Sequence, residues 1–243
     1  MRPILLIAAS MASMALAAPS GWSAEKAKFY SAVSKLISKR DSHDGPSCDL
    51  SKAVLPVTYD PLAEVPEGQK LLHVGVGRGT QNYTCSSPSA KEEPKAQGAL
   101  ATIFEASCIA ANYPFLLSLL PNIALESTNP PRTAEGFGPT DMSVLGFHYF
   151  SDGTTAVFDL KGSGASSVAK DSAVDAPLTA IKGVGTELEG AVPWLLLKSV
   201  ESSTGQVKSI YRTNTAGGSP PKNCAGQPEV IPIQYAAEYW FYG

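Results

Sequence analysis

The opening of the chain constrains it more than any other segment, because its residues have the order of an export leader. Met1-Arg2-Pro3 gives a positive charge, and an apolar run follows to Leu16, with small residues at Ala15 and Ala17. This order is typical of a secretory signal peptide. The run is too short to cross a hydrocarbon core of roughly 30 Å. We therefore expect a signal peptide at 1–17, cleavage after Ala17, and a secreted, extracellular product that inserts no segment into a membrane.

Export places the cysteines of the chain in an oxidising compartment, where they pair. The four cysteines all follow the predicted cleavage point: Cys48, Cys85, Cys108 and Cys224. An even number predicts two disulfides, for which three pairings are possible. No pair has Cys-x-x-Cys spacing and no histidine lies near a pair. We therefore expect no zinc site, no other metal and no cofactor.

Composition narrows the class of fold and of partner. Charged residues make up only 17% of the chain, which contains 21 glycines and 19 prolines, and this favours a turn-rich β protein over a helical bundle. No basic patch is present, so we expect no nucleic-acid partner. Asn82-Tyr83-Thr84 is the glycosylation sequon of the chain, so Asn82 is a predicted glycosylation site in a solvent-facing stretch.

Residues 18–47 are predicted to be an N-terminal helix and a linker. An apolar stripe with helical spacing lies within Glu25–Arg40 and consists of Phe29, Val33, Leu36 and Ile37. Such a stripe forms one face of a short helix that packs on a domain. Binding of this face to a membrane surface is the alternative. The polar and Gly/Pro-rich residues after Arg40 end the helix.

Residues 48–243 are predicted to form one β-rich domain. Strand-like runs separated by turn residues lie at 71–84, 99–106, 144–150, 154–160, 192–200, 206–213 and 230–242. The Ser151-Asp152-Gly153 turn predicts a hairpin between two of them. Pro114–Leu120 is an internal helix candidate. The fold class is therefore mainly β, a single-domain sandwich or barrel with a short N-terminal helix and one or two minor helices.

The glycine-rich stretch HVGVGRGTQ invites a dinucleotide-binding interpretation, which its spacing contradicts. The fingerprint of that site is G-x-G-x-x-G at the start of a helix, whereas Gly75, Gly77 and Gly79 give G-x-G-x-G in a strand-like run. No helix N-terminus is predicted there to receive a pyrophosphate. These glycines are predicted to mark a bulge or a tightly packed bend.

Hydrolase and metalloprotease motifs are absent from the sequence, and no pair among Asp159, Glu105 and Glu238 is singled out as catalytic carboxylates. A Ser-His-Asp triad stays open, because its members can lie far apart in sequence. His73 and His148 lie in strand-like runs and are predicted as hydrogen-bonded structural residues. As the alternative, five residues line a polar cleft: His73, Arg78, Gln81, His148 and Tyr149.

These features favour a non-catalytic secreted binder of a small molecule, a glycan or a host protein. The alternative function is a secreted enzyme, a hydrolase or isomerase, with His148 or His73 as its acid/base group.

Several longer runs together resemble a known family. They include HVGVGRGTQNYTC, GALATIFEASC, GFHYF, VPWLLL and IPIQYAAEYWFYG, and the match extends from about Cys48 to Gly243. The chain resembles a fungal secreted family catalogued as a domain of unknown function, whose members are often labelled malate dehydrogenase automatically. The resemblance implies a β-rich extracellular domain without an established activity. It also implies the pairing Cys85–Cys224, which leaves Cys48 for Cys108.

Overall fold

The structure of the protein is a computed structural model that describes residues 23, 25, 28–30, 32–33, 48–137 and 142–243. The predicted signal peptide lies outside the described residues. The strands are β1 (Leu71–Thr84), β2 (Lys95–Glu105), β3 (Gly136–Phe137), β4 (Met142–Phe150), β5 (Ala156–Leu160), β6 (Gly164–Val174), β7 (Trp194–Ser199), β8 (Ser209–Gly217) and β9 (Val230–Tyr242). Two helices, α1 (Ser107–Asn112) and α2 (Pro114–Glu126), connect β2 to β3, and a single 3₁₀ turn precedes β1 at Leu50–Lys52.

Eight of these strands form a closed antiparallel barrel. Their order is β2-β1-β9-β8-β7-β6-β5-β4, and β2 also pairs with β4 to close the ring. The short β3 adds to β4 outside the ring. The predicted mainly β fold is therefore confirmed, and of its two forms the chain adopts the barrel. Closure gives each of the eight strands a pairing partner on both sides along part of its length.

Alternating residues of each strand fill the barrel interior. The inward side chains of β9 are Tyr235, Ala237, Tyr239 and Phe241, and they pack with residues of β2, β5 and β8 in one buried cluster. An eight-stranded barrel is just wide enough to be filled by side chains. The interior is thus a packed core.

A second core lies outside the barrel, between the sheet and the helices. The outward residues Val74, Val76 and Trp240 pack against apolar residues of α2, which lies across β1, β8 and β9. Pro114 begins α2 at a position that needs no backbone N–H. The helix then continues through Pro121 to Glu126, six residues beyond the predicted end at Leu120.

The N-terminal segment is described only in part. Glu25, Lys28–Tyr30 and Ala32–Val33 are helical, in agreement with the predicted helix. Tyr30 and Val33 pack against the outer core, whereas Phe29 is exposed. The predicted stripe is therefore wrong at Phe29, because the neighbouring Tyr30 occupies the packed face. Leu36 and Ile37 of the predicted stripe lie outside the described residues.

Two disulfides tie loops to the barrel. Cys85, directly after β1, pairs with Cys224, in the loop before β9. Cys48 pairs with Cys108 at the start of α1. Both pairs are those that the family resemblance implies. Within the described part of the chain, no helix is long and apolar enough to cross a membrane.

Candidate functional site

The five residues of the predicted cleft do not meet in one place. His73, Gln81 and His148 face the barrel interior, whereas Arg78 and Tyr149 lie on its outer surface. His73 and Gln81 are also eight residues apart on β1, which separates them by roughly 26 Å at ~3.3 Å per residue. His73 is therefore remote from Gln81, whereas Gln81 lies beside Tyr235 and His148 beside Tyr239, two tyrosines whose hydroxyls are 2.9 Å apart.

Arg78 is a structural residue between β1 and the carboxyl end of α2. Its Nε donates to the carbonyl oxygen of Ala124 at 2.8 Å, and its Nη2 donates to the carbonyl oxygen of Ser127 at 3.1 Å. The same nitrogen contacts the side-chain oxygen of Gln234. Burial lowers the pKa of the guanidinium to about 10, against the attraction of Glu187. Arg78 thus satisfies the free carbonyls at the helix end and opposes its dipole.

His148 is part of the barrel core. Its ring stacks on Phe158 with centroids 4.0 Å apart, and its Nδ1 lies 3.0 Å from the carbonyl oxygen of Val157. Burial lowers its pKa to about 4, although the hydrogen bond to Val157 acts in the opposite direction. A neutral ring with the proton on Nδ1 fits this carbonyl partner. The ring also lies near the rings of Phe150 and Tyr239, so His148 is enclosed by aromatic side chains of the barrel interior.

Tyr149 and Gln81 also have local partners. The guanidinium of Arg132 lies 5.7 Å from the centre of the Tyr149 ring on the outer surface. Gln81 is inside the barrel beside Tyr235, whose hydroxyl lies 2.9 Å from that of Tyr239. Asn82, the predicted glycosylation site, lies within β1 and is half-buried. Its glycosylation stays a prediction.

The glycines of β1 make room for large side chains inside the barrel. A Cβ at Gly77 would lie 2.5 Å from Cε2 of Tyr239, and one at Gly75 would lie 2.5 Å from Cγ2 of Ile103. A Cβ at Gly79 would collide with the backbone at Leu100. The register of β1 is regular through all three glycines. The three glycines therefore allow tight packing along a regular part of β1, and they do not mark a bulge.

His73 lies at the end of the barrel, where β1 begins and β2 ends. Its Nε2 is 3.0 Å from Oγ of Ser163, and its Nδ1 is 3.4 Å from Oε2 of Glu105. The other oxygen of Glu105 accepts a hydrogen bond from the backbone N–H of Ser107 at 2.9 Å. Burial raises the pKa of Glu105, but hydrogen bonds from His73 and Ser107 outweigh it and the net shift is downward. A serine, a histidine and a carboxylate thus follow one another in contact.

A larger opening lies outside the barrel wall. A cavity of about 440 Å³ separates the barrel wall at Trp194 and Tyr211 from the irregular segment 55–65. We call it the apolar cavity, since leucine, valine, proline and aromatic side chains form most of its lining. The hydroxyl of Tyr211 donates to the carbonyl oxygen of Ala63 at 3.0 Å and holds the segment against the wall.

A smaller, polar cavity of about 120 Å³ also has Trp194 in its wall, together with Ser118, Asn122, Asn214 and Thr215. The Nε1 of Trp194 is buried and has no hydrogen-bond partner among the described residues. A buried N–H of this kind is costly unless an acceptor reaches it. Trp194 lies in the wall of both cavities.

A buried acid lies behind the polar cavity. Glu238 is fully buried and accepts hydrogen bonds from Asn214 Nδ2 at 2.7 Å, Trp240 Nε1 at 3.1 Å and Thr213 Oγ1 at 3.3 Å. Burial raises its pKa to about 6, although these hydrogen bonds act in the opposite direction. Asn214 has a φ of +42°, a left-handed conformation that asparagine tolerates better than most residues. In this backbone conformation the side-chain amide of Asn214 points at the carboxyl group of Glu238.

No local sequence motif marks these sites. Trp194 was interpretable only as part of an apolar strand, and the Pro-rich composition of segment 55–65 is its one local signal. Ser163 lies between two glycines in Gly162-Ser163-Gly164, which signals a turn but not its position beside His73. Among the described residues, no group of three or more metal-binding side chains is present.

Comparisons with known proteins match two sequence families. The profile of a family described as "Protein of unknown function (DUF3455)" matches residues 66–243. The profile of another, "Protein of unknown function (DUF2990)", matches residues 6–60. No curated protein and no solved structure matches. The apolar cavity therefore combines residues from both matched ranges, since segment 55–65 begins within the second range and Trp194 and Tyr211 lie in the first.

Proposed function

This chain belongs to the family described as "Protein of unknown function (DUF3455)", and we propose that it is a secreted protein that binds an uncharged small molecule in the apolar cavity. The observation that carries the proposal is the cavity of about 440 Å³ with Trp194 in its wall, a residue whose buried Nε1 has no hydrogen-bond partner among the described residues. A ligand with a hydrogen-bond acceptor would supply the partner that the described residues do not.

The size and lining of the cavity support a small organic ligand. Its volume of about 440 Å³ falls in the range of ~300–1,000 Å³ that is typical of small-molecule sites. Such sites are mainly apolar and contain a few polar groups that orient the ligand. Here the indole of Trp194 offers both a flat apolar surface and one donor. An aromatic or alicyclic molecule with a carbonyl or ether oxygen fits this pattern.

The charge of the lining argues against a negatively charged ligand. Glu64 is the charged residue among the lining residues that the structure describes. A negative ligand would meet this carboxylate without a cation in the wall to balance its charge. Glycans, which need many hydrogen-bonding groups, fit the apolar lining less well than a compact apolar molecule.

Fluorescence provides the direct test. The uncharged probe N-phenyl-1-naphthylamine should bind the purified mature protein saturably, with one site and with energy transfer from Trp194. Trp194→Phe keeps an aromatic wall but removes the N–H donor and the fluorescence of Trp194. Aromatic ligands that contain an oxygen acceptor should then displace the dye with an affinity about tenfold lower, equivalent to about 1.4 kcal/mol.

Matched controls separate the cavity from general effects on the fold. Trp240→Phe removes the other described tryptophan, whose N–H already has Glu238 as acceptor, and should leave probe affinity unchanged. Tyr211→Phe removes the hydrogen bond to segment 55–65 and should weaken binding, whereas Tyr113→Phe, at the residue between α1 and α2, should not. Absence of saturable probe binding, with positive signals on a glycan array or with host proteins instead, would contradict the proposal.

The extracellular location is part of the same proposal. It is supported by the export leader in the sequence and by the two disulfides, which persist in oxidising compartments. Expression in a eukaryotic host should release the protein into the medium with Ala18 as its first residue. Retention in the cytoplasm, or an intact Met1, would contradict it.

A further inference from the structure

We propose that Ser163, His73 and Glu105 form a second site, at the end of the barrel, that hydrolyses small carboxylic esters. The site is separate from the apolar cavity and does not depend on ligand binding there. It rests on the order of contacts, in which Ser163 Oγ lies 3.0 Å from His73 Nε2 and His73 Nδ1 lies 3.4 Å from Glu105 Oε2. Nucleophile, base and carboxylate in this order are the arrangement that activates a serine.

The barrel brings these three residues together from separate strands. His73 faces inward near the start of β1, and Glu105 faces inward at the end of β2, where it lies opposite Gly75. Ser163 lies in the turn between β5 and β6. The three positions are on rigid parts of the sheet or directly beside them, which fixes their geometry more firmly than long loops would.

The hydrogen bonds of Glu105 set the orientation of the histidine. The backbone N–H of Ser107 holds one carboxylate oxygen at 2.9 Å, and the Oγ of Ser107 is itself fixed by the N–H of Val74 at 2.9 Å. A carboxylate held in this way accepts a hydrogen bond from the protonated Nδ1 of His73. The Nε2 of the ring is then free to accept the hydroxyl proton of Ser163.

Access to Ser163 is narrow, which limits the substrate. The residue is 5% exposed, whereas the side chains of His73 and Glu105 are 24% and 33% exposed. Gly162 and Gly164 flank the serine with φ of +79° and +74°, and a Cβ at Gly162 would have no atom within 4 Å. A substrate that approaches Ser163 past these two glycines meets only their backbone atoms. A small acyl group fits this approach better than a long one.

The reaction balances with water as the only co-reactant. Ser163 Oγ forms a bond to the ester carbonyl carbon while its proton passes to His73 Nε2. The bond between that carbon and the alcohol oxygen breaks, and His73 returns the proton to the departing oxygen. Water, deprotonated by His73, then attacks the acyl-serine, the bond to Oγ breaks, and Oγ regains the proton as a carboxylic acid is released.

The first test labels the nucleophile in the unmodified protein. A fluorophosphonate probe should add one phosphonyl group to the mature protein, and peptide mass spectrometry should locate it on Ser163. Labelling at another residue, or none at all, would overturn the proposal. Because this test needs no variant, a failure of any variant to fold does not affect it.

The second test measures hydrolysis of p-nitrophenyl acetate. Ser163→Ala and His73→Gln should each lower kcat/KM at least 10²-fold, while Ser166→Ala, which alters a buried serine nearby on β6, should not. Glu105 is a positioning residue, so Glu105→Gln should slow probe labelling and Glu105→Asp should restore part of the rate. Unchanged hydrolysis in Ser163→Ala would refute the site.

A cross-comparison keeps the two sites independent. Saturation with N-phenyl-1-naphthylamine should leave ester hydrolysis unchanged, and protein phosphonylated at Ser163 should bind this dye with unchanged affinity. If N-phenyl-1-naphthylamine does not bind, the binding function is refuted and the hydrolytic site is not affected. If the fluorophosphonate does not label Ser163, the hydrolytic site is refuted and the binding function is not affected.

Discussion

The Nε of Arg78 donates a 2.8 Å hydrogen bond to the carbonyl oxygen of Ala124, so a side chain of the first strand caps the carboxyl end of α2. Helix ends leave backbone carbonyls without partners, and a buried end needs a donor from elsewhere. Arg78 supplies several donors at once and places its positive charge at the negative end of the helix dipole.

Removal of this cap should destabilise the protein. In Arg78→Met, buried carbonyls of α2 lose their donors, and we expect the free energy of unfolding to fall by about 3 kcal/mol. Urea unfolding followed by circular dichroism measures the change. Arg132→Met, which removes a cation over the rings of Phe147 and Tyr149, should cost less than about 1 kcal/mol. Equal effects of the two substitutions would contradict the capping role.

Gly77 tests the packing role of the glycine stretch against a nucleotide site. Gly77→Ala places a methyl group against Tyr239 and should lower the free energy of unfolding by about 1–3 kcal/mol. Fluorescence titration should detect no saturable NADH binding by the unmodified protein, and malate should not support NAD reduction. Micromolar NADH affinity that Gly77→Ala abolishes would show that the glycines form a nucleotide site.

His148 should make the fold sensitive to acid. Its pKa is about 4 in the folded protein and about 6.5 in an unfolded chain, so the unfolded state binds the proton first. The stabilisation is complete above pH 6.5 and should be lost as the pH falls toward 4, by about 3 kcal/mol. Chemical unfolding from pH 7 to 4 should show that His148→Phe lacks this part of the pH dependence.

Glu238 should act with the opposite sign. Its pKa is about 6 in the folded protein and about 4.5 in an unfolded chain, so the folded state binds the proton more tightly. Relative to Glu238→Gln, the unmodified protein should lose about 2 kcal/mol of stability as the pH rises from 4.5 to 6. Parallel curves for the two proteins would mean that Glu238 does not titrate in this window.

Reduction of the disulfides should lower the melting temperature markedly. In the loop-entropy view, Cys85–Cys224 and Cys48–Cys108, with sequence separations of 139 and 60 residues, contribute about 5 and about 4 kcal/mol. Cys224→Ser should therefore reduce the amount of protein secreted more than Cys48→Ser does. Peptide mapping without reduction checks the pairing, and a peptide joining Cys48 to Cys85 would contradict it.

The strands with strong apolar alternation were predictable, and the weakly apolar one was not. The runs at 71–84, 144–150 and 230–242 all correspond to strands. By contrast, β6 has the sequence GASSVAKDSAV, whose small and polar residues carry little hydrophobic signal. It is a strand because β5 pairs with its first half, up to Val168, and β7 pairs with its second half, from Val168 on, a tertiary effect that local sequence does not encode.

The candidate sites show the same division. Histidine, glycine and carboxylate residues can be noticed in a sequence, but neighbours across a barrel are set by strand order. His73 and Ser163 are 90 residues apart, so no local spacing relates them. Arg78 is placed between two glycines that face inward, which turns its own side chain outward toward α2. The sequence groups the five predicted cleft residues together. The strand order of the closed barrel and the position of α2 across it show that they do not form one cleft.

The pairing of β1 with both β2 and β9 has a consequence for biogenesis. During synthesis, β1 and β2 leave the ribosome early, but the other edge of β1 finds its partner only when β9 has emerged. Until then the outer strands expose apolar side chains and unpaired amides. Ring closure is therefore a late, long-range event, of the kind that slows folding. Late closure suits the secretion that we propose, because a chain whose ring is still open can pass through a translocation channel unfolded.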